Sequence, residues 1–328
     1  MSGKYKWKVM ALLCGVLAVG VVGVGCGSSD SGSGDKPKVT LELALQSGCA
    51  FCLAIQHGAE DAAEAEGVDL TVQSPAKPEV DAQVEQLQAV AATKPDVLIL
   101  EPFDPNAVVA PVKQIVDGGA QAIMVDTDIA DPSLRMSLVT SDNVQGGNVA
   151  GKAMADAIGQ KGKVLYAGYL KGSTAVDERQ QGFDEALGKF PGISQVDPIY
   201  AIDDAAAVAP KVSATLQAVP DLAGVFGSTE AAAIGAVNAL KSAGKDGKIP
   251  IVAYDAAPDE VQALKNGTIS TLIVQKAYDM GRIAVEQAAA YVKDGTKPGQ
   301  EVTELGNIVA TKDNIDDPDV SKFLYPAE

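Results

Sequence analysis

The chain has 328 residues, 47% of them hydrophobic and 5% aromatic, with 43 acidic against 26 basic side chains and a formal net charge of −17. That length accommodates two domains with sizeable cores. The charge excludes a nucleic-acid partner, whose phosphates require a basic footprint, and argues against capture of an anionic ligand; it fits a soluble, self-repelling protein.

Residues 1–25 read as a targeting segment outside the fold. Lys4, Lys6 and Lys8 give it a basic start, and Met10 to Gly25 is an uninterrupted apolar stretch of about 16 residues, short for a membrane span. Cys26 follows, and 26–36 is a flexible tether rich in Gly and Ser. Small residues before a cysteine resemble a bacterial lipoprotein signal, in which the cysteine is lipidated and becomes the new N-terminus. Val24 and Gly25 suit that motif; Gly23 departs from it, where Leu is usual. The alternative is an ordinary signal peptide or an uncleaved anchor with an incidental Cys26. Either places the mature protein outside the cytoplasm. Cys49 and Cys52 are then the thiols of the mature body, in an oxidising compartment.

In chain order, Val39 to Gln46 reads as a first strand, and Ser47 to Ala50 as a turn. Phe51 to Glu66 is a helix ended by Gly67, and Asp69 to Gln73 a short strand. Glu79 to Ala92 is a helix with Val80, Val84, Leu87 and Ala91 on one apolar face. Asp96 to Leu100 is a buried strand, 101–105 a loop, and Asn106 caps a helix to Asp117. Ala122 to Val125 is a buried strand after Gly118-Gly119, followed by a strand from Met136 to Thr140 and a helix from Ser141 to Ile158. The alternation then restarts, with strands at 163–169, 196–201, 224–228, 249–254 and 269–275. Helices at 177–189, 205–218, 231–243, 259–266 and 277–294 separate them, and 304–310 is a last strand. Strands alternating with helices predict an α/β fold of parallel sheets flanked by helices. So many strands favour two Rossmann-like lobes.

Two of these strands run straight into carboxylates: Val125 into Asp126, and Tyr254 into Asp255. Ligands of parallel α/β sheets collect at the carboxyl ends of strands. The two acids are therefore expected to be the jaws of one cleft.

Several segments together resemble the ribose-binding-protein family of periplasmic sugar-binding proteins. They are 113–126, Ser141-Asp142-Asn143 through Gly147, Glu178-Arg179-Gln180-Gln181-Gly182-Phe183, Asp255-Ala256-Ala257-Pro258-Asp259 and Thr311-Lys312-Asp313-Asn314, in the family's order across nearly the whole mature chain. The resemblance implies a periplasmic-binding-protein type I fold with three crossings, near Ser141, Gln275 and Gln300. It places 37–141 and 276–299 in an N-terminal lobe and 142–275 and 300–328 in a C-terminal lobe. The lobes close on a sugar by hinge motion, and the closed form is presented to a membrane permease.

The family's pattern also assigns the site. Asp126 matches the strand-end acid that accepts from neighbouring hydroxyls, and a carboxylate has about four acceptor sites for the purpose. Thr127 stands where ribose binders have Arg, and Asp128 either compensates or caps its loop. Arg179 matches the cleft arginine, whose fork can grip two ligand oxygens. Asp255 matches the second lobe's acid and Gln275 a hinge-side amide. Thr229 replaces an Asn, and Asp203 replaces an aromatic ring. Phe51 lies where a stacking aromatic covers a sugar's C–H face, flanked by Cys49 and Cys52.

Cys49-Ala50-Phe51-Cys52 admits a local disulfide, two free thiols lining the pocket, or a redox pair at a helix N-terminus. With one CxxC and one histidine, His57, off its face, no metal site is expected. Neither a P-loop nor GxSxG is present, so neither an enzyme nor a cofactor is expected. The expectation is a lipid-anchored, monomeric solute-binding protein of an ABC importer for a small neutral pentose, xylitol or tetritol. A sensor serving a chemoreceptor or membrane kinase, and a thiol oxidoreductase, are the alternatives.

Overall fold

A computed structural model describes residues 36–43, 49–75, 77, 79–201 and 204–326. The targeting segment, Cys26, nearly all of the tether and Asp203 lie outside the described residues.

The chain begins β1 (Lys38–Glu42), α1 (Ala50–Glu66), β2 (Asp69–Gln73), α2 (Val80–Thr93), β3 (Val97–Leu100), α3 (Val109–Asp117), β4 (Gln121–Val125) and β5 (Ser137–Ser141). It continues α4 (Asn143–Ala157), β6 (Gly162–Gly168), α5 (Thr174–Leu187), β7 (Ile193–Gln195), β8 (Ile199–Tyr200), α6 (Ala205–Ala218), β9 (Leu222–Gly227), α7 (Glu230–Ser242), β10 (Ile251–Tyr254), α8 (Pro258–Asn266) and β11 (Ile269–Val274). It ends with α9 (Ala277–Asp294), β12 (Val302–Leu305), β13 (Ile308–Ala310) and α10 (Pro318–Ser321).

Among the described residues, one sheet has the order β12-β5-β4-β3-β1-β2 and the other β13-β11-β10-β9-β6-β7, with β8 beside β6. Every pairing is parallel except that of β13 with β11. The central strands are apolar and buried along their length, as expected of strands covered on both faces by helices. The two sheets are the two lobes.

The C-terminal strand expected over 304–310 is in fact two strands, one in each sheet. Val302 to Leu305 pairs in register with Leu138 to Ser141, whereas Ile308 to Ala310 runs antiparallel to Leu272 to Val274. The third passage between lobes therefore falls at Gly306-Asn307, not near Gln300. Asn307 fastens it: its Nδ2 donates to the carbonyl of Asp142, at the first passage, at 2.8 Å, and its Oδ1 accepts from Tyr254 Oη at 2.9 Å.

Two further expectations are corrected. The face of α2 that is fully buried is Gln83, Leu87 and Val90, because a polar Gln83 is drawn in to serve two acids described below. The start of α3 is organised by Asp104, whose Oδ1 accepts from the backbone of Asn106 and Ala107, rather than by Asn106.

Glycine sets the helix packing in both lobes. A Cβ on Gly58 (α1) would lie 1.9 Å from Tyr278 O, and one on Gly281 (α9) 1.9 Å from Ile55 O. In the other lobe a Cβ on Gly147 (α4) would lie 2.1 Å from Arg179 O, and one on Gly182 (α5) 2.0 Å from Val144 O. Backbones this close leave no room for any side chain, and the second contact fixes the turn of α5 that carries Arg179.

Candidate ligand-binding site

The site grows from the two strand ends. Asp126 and Asp255 both leave their strands with positive φ, +60° and +91°. Both place their N–H on the neighbouring strand: Asp126 N on Val139 O and Asp255 N on Ile273 O, each at 2.9 Å. Left-handed backbone at a non-glycine residue is strained and concentrates at functional sites. Here it turns each side chain off the end of its sheet.

Arg179 joins the two. It comes from α5 of the second lobe and is only 3% exposed. Its Nε donates to Asn143 Oδ1, Nη1 to Ser228 O and Nη2 to Gln275 Oε1, all at 2.9 Å. Its guanidinium carbon lies 3.9 Å from the ring centroid of Tyr254, a cation–π stack. Across the gap between lobes, Nη2 is 3.6 Å from Asp126 Oδ1. Burial works against the Arg179 charge, but Tyr254, Asp126 and Asp255 more than offset it and raise its pKa. The fork expected to grip two ligand oxygens thus faces protein acceptors over most of its donors.

Gln275, 1% exposed, sits at the second passage between lobes. Its Oε1 accepts from Ser141 Oγ of the first lobe as well as from Arg179, and its Nε2 donates to Asp255 Oδ1 at 2.7 Å. Asp255 Oδ1 also accepts from Tyr325 Oη at 2.9 Å, and Oδ2 from the Glu230 backbone N–H at 3.2 Å. Asp126 is less satisfied. Thr127 Oγ1 donates to its Oδ2 at 3.3 Å, and Oδ1 has no hydrogen-bond partner among the described residues. Burial pushes the Asp126 carboxyl up from its ordinary value; Arg179 pulls it down, and Asp255 adds to the rise.

The remaining sequence-nominated residues divide. Phe51 is buried in the first turn of α1, its ring 5.8 Å from that of Tyr325. Cys49 and Cys52 are joined by a disulfide that closes this turn, and Cys49 Sγ accepts from Cys52 N. Thr229 is the N-cap of α7, its Oγ1 accepting from Ala232 N at 3.3 Å. Asp128 pairs with Arg135 Nε and Nη2 at 2.6 and 2.9 Å and accepts from Ile129 N, so it braces its own loop.

Sequence reasoning missed Tyr325, Tyr254, Asn143 and a second acid group in the first lobe. Glu42 and Glu101 stand at the carboxyl ends of β1 and β3, bridged by Gln83. Gln83 Nε2 donates to Glu101 O at 2.8 Å and reaches Glu42 Oε2 at 3.4 Å, while its Oε1 accepts from Phe103 N. Glu42 is fully buried, and that burial raises its pKa to about 9, with Gln83 opposing and Glu101 reinforcing. Leu100 running into Glu101 is the same strand-into-acid signal that marked Asp126 and Asp255.

The periplasmic binding protein domain family matches residues 45–297. The chain belongs to that family, and its two lobes of helix-flanked parallel strands agree with it. It is 27% identical to the ribose import binding protein of Bacillus subtilis (strain 168) over 259 residues, 79% of this chain and 83% of the relative. It is 27% identical to the xylitol-binding protein of Mycolicibacterium smegmatis over 309 residues, 92% of this chain and 86% of the relative. Among solved structures, the ABC transporter solute-binding protein from Agrobacterium vitis bound with α-D-tagatopyranose superposes with a TM-score of 0.86 at 34% identity. That superposition covers 89% of this chain and all of the other. These relatives are binding proteins of importers and not enzymes.

Proposed function

We propose that this chain is the extracytoplasmic solute-binding component of an ABC importer and holds a small neutral sugar or polyol between its lobes. One observation carries this: Asp126 Oδ1 is a buried carboxylate oxygen between two lobes, with no hydrogen-bond donor among the described residues. A buried acceptor left unmatched is costly, and a ligand hydroxyl is the neutral donor it requires. An anionic guest would face Asp126 and Asp255 with Arg179 already engaged by Asn143, Ser228 and Gln275. The importer role follows the ribose, xylitol and tagatose binders described above.

Within that class the preferred guest is a pentose, xylitol or a tetritol. Thr127 supplies one hydroxyl where ribose binders have a guanidinium, and Asp203 stands where they have a ring. Phe51 covers the C–H face of the guest; Asp126, Arg179, Asp255, Gln275 and Thr229 surround its hydroxyls. The lobes close by hinge motion about the three passages, and the closed monomer meets the permease while Cys26 holds it to the membrane by lipid. Thermal unfolding against D-ribose, xylitol, erythritol, D-tagatose and a carboxylated sugar provides the test, because a ligand specific to the folded state raises the midpoint. Xylitol or erythritol is expected to give the largest rise, and a rise with D-ribose alone would contradict that preference. A rise confined to the carboxylated sugar would overturn the proposal. Radiolabelled fatty acid should enter the wild-type chain and not Cys26→Ser.

A further inference from the structure

The C-terminal segment beyond β13 has no assigned part in the site, yet its Tyr325 bonds Asp255. After α10 the chain turns back across the second lobe. Just before α10 Asp316 pairs with Lys265 of α8 at 2.7 Å, and just after it the ring centroid of Phe323 lies 5.4 Å from Lys276 at the second passage. Tyr325 N then donates to Ala256 O at 3.1 Å, which pins the segment to the loop directly after β10. From there the Tyr325 side chain reaches both jaws. Its hydroxyl donates to Asp255 in the second lobe, and its ring packs against Phe51 in the first, leaving it 6% exposed. Phe51 stands in the first turn of α1 and Asp255 at the carboxyl end of β10, so the ring links the two lobes.

Two chemical consequences follow. An anionic oxygen offers about two acceptor directions, and Gln275 Nε2 and Tyr325 Oη take both at Asp255 Oδ1. Asp255 Oδ2 already takes the Glu230 N–H, so it retains room for one ligand hydroxyl rather than two. Second, the Tyr325 ring adds to the apolar surface of Phe51, and a guest lying between Phe51 and Asp255 must share that position with it. Burial and the neighbouring Asp255 raise the phenol well above its ordinary range, so the hydroxyl stays a donor throughout physiological pH.

We infer that Tyr325 is a specificity-determining residue of the ligand site, contributed by the C-terminal segment, which limits the guest's length and the number of hydroxyls Asp255 accepts. This rests on the sugar or polyol reading above. Neither Phe51 nor Asp255 alone selects for size; the ring held between them does.

Calorimetric titration of the full chain with erythritol, xylitol, D-ribose and D-tagatose tests it, using wild type, Tyr325→Ala and Tyr325→Phe. In Tyr325→Ala the affinity of D-tagatose relative to xylitol is expected to rise at least about 10-fold over the wild-type ratio, which corresponds to about 1.4 kcal/mol. Tyr325→Phe keeps the ring and should hold that ratio within about 2-fold. It should weaken the best wild-type probe about 5-fold or more, since Asp255 loses a donor that orients it. A residue that merely stabilises the fold would lower the unfolding temperature and scale all affinities alike. An unchanged tagatose-to-xylitol ratio in Tyr325→Ala overturns the inference. If that variant does not fold, unchanged affinities in Tyr325→Phe overturn it. A wild-type chain that binds some of the four probes while the variants match it defeats this inference alone. A wild-type chain that binds none defeats the sugar or polyol reading, and this inference with it.

Discussion

The two lobes present their acids in the same backbone geometry and in opposite states of satisfaction. Asp126 and Asp255 share a strand-end position, a positive φ and an N–H bonded to the next strand's carbonyl. Asp255 then receives three donors, from Gln275, Tyr325 and the Glu230 backbone. Asp126 receives one hydroxyl from Thr127, and its other oxygen faces Arg179 at 3.6 Å with no hydrogen bond. The fold repeats a turn; the chemistry at its tip is set by what other segments bring to it. Asp255 is braced by its own lobe, whereas Asp126 is left to find its donor across the gap. On this basis Asp255 is expected to matter for the protein's own stability and Asp126 chiefly for its guest.

The largest expected effect is at the residue that touches both halves of the comparison. Arg179→Ala removes the cation between Asp126 and Gln275 and strands Asn143, the Ser228 carbonyl and a buried carboxylate. Each buried acceptor left without its donor costs about 1–3 kcal/mol, and Arg179 serves three of them. Calorimetry should find sugar binding lost, and thermal unfolding should occur about 10 °C lower.

Next come the two acids themselves, tested as a pair. Asp255→Asn loses charge-assisted bonds, each contributing about 1.5–3 kcal/mol, and the ligand-free protein should melt several degrees lower. Asp126→Asn should leave the ligand-free midpoint within about 2 °C while weakening xylitol about 10-fold or more. Equal losses of ligand-free stability in both variants would erase the distinction between a braced acid and an open one.

The smallest effect concerns the first lobe's other acid. Glu42 has a folded value raised from 4.5 to about 9 by burial, so it holds its proton more tightly native than unfolded. Its contribution to stability is full below about pH 4.5 and is lost as pH rises towards about 9. Glu42→Gln, which cannot ionise, should therefore melt above wild type at pH 8 by a few degrees, with the gap closing at pH 5. A gap independent of pH would mean that Glu42 ionises normally in the native state.

Much of this was legible before any coordinates. The alternation of buried strands and helices gave both lobes, and α6 and α9 run over the expected 205–218 and 277–294. Apolar runs that end in an acid marked Asp126 and Asp255, because a carboxylate at a buried strand's end is a local and rare pattern. The same pattern at Glu101 fits a loop start equally well, because Pro102 and Pro105 follow it. Gln83 was masked by Val80 and Val84, whose spacing gave an equally good helical stripe.

The sequence by itself determined the fold class and pointed to the two strand-end acids and Arg179, since each is written in residues near one another in the chain or in a motif. Only the tertiary structure decided which acid is already satisfied, where the third passage runs and that Tyr325 bonds Asp255 and packs against Phe51. Those depend on contacts between segments far apart in the chain, such as Tyr325 with Phe51 and Asp255, or β12 with β5. No local periodicity encodes such pairings. They are settled when two sheets, three passages and a returning tail compete for the same few acceptors, and hydrogen-bond geometry chooses among them.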